Sequence, residues 1–137
     1  MARKAVVDAV EARLAANWLT TPIIGLNSTT GDAPSDGSAF VRVEYPVADS
    51  RQLTFGAPGN NFWREEGAFR IIVNITRATG IATGLEWAET LESLFIGKNF
   101  DGVQTFSPGS PAIDDRNDQG NYYQFSFAVP YWHDRTG

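Results

Sequence analysis

The chain has 137 residues with a formal charge of −5, no cysteine and a single histidine, His133. Its length and its 42% hydrophobic content fit one globular domain, and the absence of cysteine excludes disulfide scaffolds and thiol catalysis. Its eleven basic residues are spread thinly along an acidic chain, which argues against a nucleic-acid-binding protein, because phosphate contacts need clustered Lys and Arg.

The first predicted element is an amphipathic helix over residues 3–18. Apolar side chains recur there at spacings of three and four, at Val7, Val10, Leu14 and Trp18. The helix is expected to end before Pro22, because proline disfavours helical geometry in the residue that precedes it. Residues 25–38 are rich in Asn, Ser, Thr, Gly, Asp and Pro. Such a segment has little apolar surface to bury, so we expect a mobile loop.

Two strands follow. Residues 40–45 alternate between apolar and polar side chains, and Pro46 is expected to end this strand. Residues 52–55 are interpreted as a short continuation before the turn residues 56–61. The clearest strand pattern covers residues 64–76, whose apolar face carries Phe69, Ile71, Val73 and Ile75. One face of the sheet is therefore expected to be buried and the other to be mixed.

A second helix is predicted to begin at Thr83, because Thr83 and Glu86 match a capping box. It is expected to end at Gly97. The rest of the chain is predicted to form a short strand at 103–106 and a mobile loop at 107–120. A last strand at 121–131 and a terminal tail follow. Several connections are too short for a crossover. This order predicts a single α+β domain over residues 1–137, with a mostly antiparallel sheet and two helices packed on one face.

The sequence contains no convincing catalytic, cofactor-binding or metal-binding pattern. Residues 115–120 resemble the start of a calcium loop, but Ser126 stands where the bidentate Glu belongs. Glu65 and Glu66 are adjacent on a strand, so they point to opposite faces and cannot act as a catalytic pair. His133 has no serine partner in a G-x-S-x-G context. We therefore expect no catalytic residue, no cofactor and no metal, and no apolar run approaches the length of a membrane span.

Aromatic and arginine residues surround the turn at 56–61. Aromatic side chains beside a loop tip are common interface anchors, although folding back onto the core is the equally open alternative. The same two readings apply to Trp132, which follows Tyr131 near the end of the last strand. The sequence thus predicts a protein-binding surface formed by Arg51, Phe55, Asn60, Asn61, Phe62, Trp63 and Arg64.

Two segments carry a resemblance to a known family. Residues 62–73 read FWREEGAFRIIV and residues 84–91 read GLEWAETL, after an N-terminal helix and a polar loop. In this layout the chain resembles the tail terminator, or tail completion, proteins of long-tailed phages and prophages. The resemblance implies a structural virion protein without enzymatic activity. Such a protein caps the tail tube as a ring, ends tube polymerisation and offers the head–tail connector a docking surface.

The resemblance also implies partners and a location. Expected partners are other copies in a hexameric ring, the tail tube protein and the head–tail connector protein, in the virion tail after assembly in the host cytoplasm. Six copies with a charge of −5 each would carry −30, so DNA would pass nearby without specific binding. The alternatives are another minor tail or head-closure component, a small adaptor with an aromatic loop tip, or a hydrolase with convergent carboxylates.

Overall fold

The computed structural model describes residues 2–24, 37–76, 80–113 and 122–137. Within these residues, two helices, α1 (Lys4–Asn17) and α2 (Ala82–Phe95), accompany seven strands. The three long strands are β2 (Phe40–Gln52), β3 (Phe62–Thr76) and β7 (Tyr122–Thr136). The short strands are β1 (Ile23–Ile24), β4 (Asn99–Phe100), β5 (Val103–Thr105) and β6 (Ala112–Ile113).

The described strands form one sheet in the order β1-β2-β3-β7-β5-β4, with β6 also paired to β7. β1 runs parallel to β2, and the other described pairings are antiparallel. The α+β layout with two helices is therefore observed, but the sheet is mixed and not purely antiparallel. The connection from Ile24 to Phe40 is long enough for the crossover that a parallel pair requires.

One hydrophobic cluster joins both helices to alternate residues of the long strands. The predicted apolar face of β3 is buried, and Phe69, Ile71 and Val73 lie opposite Val129, Phe127 and Phe125 of β7. The same cluster contains Val6, Val10 and Leu14 of α1 and Ala88, Leu91 and Phe95 of α2. Full burial of a side chain of this size contributes about 1.5–3 kcal/mol, so this cluster dominates the stability of the fold.

The start of α2 differs from the prediction. The helix begins at Ala82 with Ile81 as its N-cap, and no side chain caps it, so the predicted capping box at Thr83 is wrong. Ile81 already has helical dihedral angles, which places Thr83 inside the first turn, where it cannot adopt the extended N-cap conformation. Gly84 packs directly against Phe125, where a Cβ atom would lie only 2.6 Å from the ring. The first turns of α2 therefore pack closely on β7, at a position where only glycine fits.

Two of the long strands extend beyond their predicted ends. β2 continues through Pro46 to Gln52 across a register shift between Glu44 and Val47, because a proline at an irregularity removes no regular ladder hydrogen bond. β7 continues to Thr136, so residues 132–137 do not form the predicted separate tail. Most of the loop predicted near 25–38 and half of the loop predicted near 107–120 lie outside the described residues. The described part of the second loop, 107–113, contains β6.

Candidate protein–protein interface

The strands β2, β3 and β7 continue past the hydrophobic core as a ribbon, which β5 joins only at Trp132 and His133. The last core members along these strands are Tyr45, Phe69 and Tyr131. We call residues 47–52, 62–68 and 132–136 the ribbon, and residues 53–61, which join β2 to β3, its tip. The ribbon contains or adjoins every residue of the surface predicted from the sequence.

Exposed apolar side chains are concentrated in the ribbon and its tip. Of nine large hydrophobic side chains that are exposed in the described residues, five lie there: Val47, Leu53, Phe55, Phe62 and Trp132. The Phe55 side chain is 82% exposed and that of Phe62 is 52% exposed. Clustered exposure of this kind marks interaction surfaces more often than isolated surface leucines do. Phe55 and Phe62 thus project into solvent and do not fold back onto the core.

We call the ribbon face that points away from the core the outer face. Side chains of opposite charge form pairs there. Arg51 forms an ion pair with Glu66, with 2.8 Å between Nη2 and Oε1. Arg64 donates two hydrogen bonds to the Asp134 carboxylate, of 2.8 and 3.0 Å, and these hold the pKa of Asp134 below its usual value. The same guanidinium group lies 4.0 Å from the ring centroid of Trp132. This bidentate and stacked geometry is the arrangement that favours Arg over Lys at interfaces.

The opposite, inner face of the ribbon carries a buried carboxylate. Glu65 is 4% exposed, and its Oε2 accepts a 3.0 Å hydrogen bond from the Tyr131 hydroxyl. The backbone N–H of Arg3, at the start of α1, donates to the same oxygen over 3.4 Å. Burial, with the neighbouring Glu65 as a further cause, raises the pKa of Tyr131. Glu65 and Glu66 therefore lie on opposite faces of the strand, as the alternation of side chains predicted.

Asn61 organises the tip from within. It is 7% exposed, and its Oδ1 accepts hydrogen bonds of 3.3 Å from the Thr54 hydroxyl and from the backbone N–H of Ala57. Its backbone N–H donates to the Gly137 carbonyl over 3.0 Å, and the Gly137 N–H donates back over 2.9 Å. Asn60 is exposed in the adjoining turn. Asn61 thus fixes the shape of the tip, whereas Asn60 lies on its surface.

The remaining predicted residue, Trp63, has partners within the chain. Trp63 is half-buried, its indole N–H donates to the Gly137 carbonyl over 3.3 Å, and the Arg135 guanidinium lies 5.6 Å from its ring centroid. The sequence reasoning missed Val47 and the role of Asp134 as the partner of Arg64. The apolar–polar alternation of residues 121–131 does not continue through residues 132–136, so no local signal in the sequence marked this extension of β7.

The described parts of the chain contain neither a metal-binding cluster nor a helix able to span a membrane. No group of three or more His, Asp or Glu side chains lies close enough together there to hold a metal ion. None of the helices in those parts has the length and hydropathy needed to cross a membrane.

Comparisons with known proteins identify what the chain resembles. A family model described as phage tail terminator protein matches residues 5–131, from α1 to the last core residue of β7. No curated protein sequence matches the chain significantly. One solved structure is 18% identical in sequence, with a TM-score of 0.61, over 97% of this chain and 96% of its own. At that identity the structural likeness shows a shared fold.

Proposed function

The chain belongs to the phage tail terminator family, and from this membership we propose that it caps the tail tube as a ring. Capping by the ring ends tube polymerisation and forms the surface that joins the tail to the head. The family is one of structural tail proteins, so a structural role in the phage tail is the starting point. The ring, the capping and the head–tail joining are the proposed refinements.

The ribbon is the observation that carries this proposal. The ribbon and its tip combine five of the nine exposed large apolar side chains in the described residues with a stacked Arg64–Trp132 pair. Aromatic residues and Arg are enriched among the residues that dominate binding energy at protein interfaces. We also propose that α1 and α2 cover the same face of the sheet, because both contribute to the single core cluster. The outer face of the ribbon then remains available for partners.

A closed ring needs heterologous contacts, in which one patch of a subunit meets a different patch of the next. The ribbon with its tip is proposed as one patch, and the strand ends with α2 as the other. Six copies form the proposed ring. The net charge of −5 per copy gives such a ring an acidic channel, through which DNA passes without specific binding.

The proposed partners are further copies of the chain, the tail tube protein and the head–tail connector protein. The proposed location is the virion tail, with assembly in the host cytoplasm. An interface of marginal stability leaves the free protein monomeric until the tube end presents a template. A monomer in dilute solution is therefore compatible with the proposal.

The test is a phage in which Phe55→Ser and Phe62→Ser replace the two most exposed aromatic residues of the ribbon and its tip. We expect tails of abnormal length that fail to join heads, counted by electron microscopy of lysates. Leu19→Ser is the matched control, because Leu19 is 85% exposed but lies outside the ribbon and its tip. Tails of normal length that join heads after deletion of the whole gene would contradict the proposal.

A second function is favoured by the exposure of Phe55 at the tip. A small adaptor would use this aromatic tip to bind a peptide or a sugar. Another minor tail or head-closure component would use the tip to bind a different protein of the virion. Normal tails from the Phe55→Ser/Phe62→Ser phage would favour the adaptor. Labelling of the protein at the head-proximal end of purified tails would separate the terminator from other tail components.

A further inference from the structure

Both outer strands of the ribbon have an open edge in the described residues. Along β2, the described pairing with β1 ends at Arg42, and from Val47 to Gln52 the only described partner strand is β3. Along β7, the described pairing with β5 ends at His133, and from Asp134 to Thr136 the only described partner strand is again β3. The described ribbon therefore offers backbone hydrogen-bonding groups on two sides at the same end of the molecule.

These edges are long enough and regular enough to pair. Residues 47–52 keep an unbroken register with β3 after the irregularity at Pro46, so this part of the strand is regular enough to accept a further strand. Asp49, Ser50 and Arg51 are exposed, as are Asp134 and Thr136 on the other side. Natural proteins usually cover or shorten such edges, because an exposed edge pairs readily with another chain.

We propose that the β2 edge of one copy pairs with the β7 edge of the next, so that the ribbons of the ring form one continuous sheet. This inference rests on the proposed ring and specifies the contact that holds it together. Pairing of β2 with β2 in a two-fold dimer would leave both β7 edges open. Pairing of β2 with β7 around a closed ring leaves no ribbon edge open, since closure removes all edges.

The topology sets the direction of the new pair. β2 and β7 are both antiparallel to β3, so they run parallel to each other within one copy. Rotation about the ring axis does not change the direction of a strand along that axis. The β2 strand of one copy therefore meets the β7 strand of the next in a parallel pairing.

Side chains on the outer face favour this choice of edges. Arg51 lies directly opposite Arg64 in the ladder, and like charges in opposite positions destabilise a strand pair. The β7 edge carries Asp134, so a neighbouring β7 brings a second carboxylate to the free side of Arg51. The exposed Trp132 and Val47 lie on the same face. Pairing thus brings opposite charges together and covers apolar surface.

Disulfide formation tests the pairing directly, because the natural chain contains no cysteine. Each double variant places one cysteine on β2 and one on β7, and the panel covers both faces of the ribbon and several registers. The β2 substitutions are Asp49→Cys, Ser50→Cys and Arg51→Cys. Each is combined with Asp134→Cys, Arg135→Cys or Thr136→Cys on β7. Within one copy, β3 separates these strands by two strand spacings, about 10 Å. A disulfide needs Cα atoms closer than about 7 Å, so every bond formed must join two copies.

At the highest soluble concentration, under oxidising conditions, we expect at least one pair to give a ladder of covalent oligomers on a denaturing gel. Single-cysteine variants should give no species larger than a dimer. Asp49→Cys with Ala15→Cys is the control, because Ala15 is exposed on α1, away from the ribbon. Circular dichroism verifies that each variant keeps the fold.

Three results would overturn the pairing. Dimers from single β2 cysteines, with no ladder from any pair, would show β2–β2 contact. Rings in the electron microscope without a ladder would refute the edge pairing and leave the proposed function intact. The absence of both rings and a ladder at high concentration would also contradict the pairing. The phage experiment tests the proposed function separately.

Discussion

Gly67 shows how tightly the ribbon joins the core. A Cβ atom at this position would overlap the carbonyl oxygen of Val47 and would lie 2.9 Å from the Tyr131 hydroxyl. We expect Gly67→Ala to lower the free energy of unfolding by about 1–3 kcal/mol, the usual cost of overpacking. Urea denaturation measures this loss. Gly109→Ala is the control, since a Cβ atom there meets nothing within 4 Å; equal losses in both variants would refute the steric explanation.

The Arg64–Asp134 pair should give a pH-dependent contribution to stability. Hydrogen bonds from Arg64 lower the pKa of Asp134 below its ordinary value of 3.8. An acid whose pKa is lowered by folding stabilises the fold above the unfolded-state pKa and loses that contribution as the pH falls through the folded-state pKa. We expect Asp134→Asn to cost about 0.5–1 kcal/mol at neutral pH, because the pair is partly exposed to solvent.

The check on this pair is a series of denaturation curves for both proteins from neutral to acidic pH. The two stabilities should converge as the pH falls below the ordinary pKa of Asp134. The same convergence should disappear in an Arg64→Gln background, where the carboxylate has lost its partner. A difference that persists unchanged at low pH would show that the substitution acts by another route.

At the scale of elements, the C-terminal end of α2 depends on one threonine from β5. The buried Thr105 hydroxyl donates a hydrogen bond to the Phe95 carbonyl and accepts one of 3.0 Å from the Lys98 N–H. We expect Thr105→Val to lower the free energy of unfolding by about 1–3 kcal/mol, because the shape is kept while buried backbone groups lose their partner.

Chemical denaturation measures the global effect of Thr105→Val, and amide hydrogen exchange over the last turn of α2 locates it. Thr90→Val is the matched control, because the Thr90 hydroxyl is exposed and bonds the Glu86 carbonyl of its own helix. We expect the control to change stability by less than about 0.5 kcal/mol. Similar losses in the two variants would argue against a special role for Thr105.

At the scale of the whole molecule, the core and the ribbon tip should be separable. The Leu53 N–H donates a 2.8 Å hydrogen bond to the Phe62 carbonyl, so the two-residue turn Asn-Gly is long enough to replace residues 54–61. We expect the shortened protein to keep its stability within about 1 kcal/mol, because the deleted residues lie outside the core cluster. We also expect its self-association to weaken, because the shortening removes the exposed Phe55 but leaves the β2 and β7 edges in place.

Denaturation curves and sedimentation of the concentrated protein measure these two properties side by side. Asn60→Ala, at an exposed position of the same turn, is the control that should retain self-association. Oligomers that are as stable as those of the full chain would exclude the tip from the subunit contact. A large loss of stability would instead show that the tip supports the core.

Local patterns in the sequence were sufficient for α1, for the alternation of β3 and for the α+β class. Helical and strand periodicities report which side of an element is buried, and this depends on near neighbours in the chain. For the aromatic residues around the Gly, Pro and Asn turn, the sequence left exposure and folding back onto the core equally open, and the structure shows Phe55 and Phe62 exposed. The phage tail terminator family was also recognisable from the sequence layout.

The tertiary structure alone decided features that depend on distant partners. β2 passes Pro46 and β7 reaches Thr136 because both strands pair with β3, and this pairing offsets the unfavourable local signals. Arg64 and Asp134 are 70 residues apart in sequence, so no local pattern could join them. The chain itself determined which segments form strands, whereas their pairing decided how far the strands extend and where the ribbon leaves open edges.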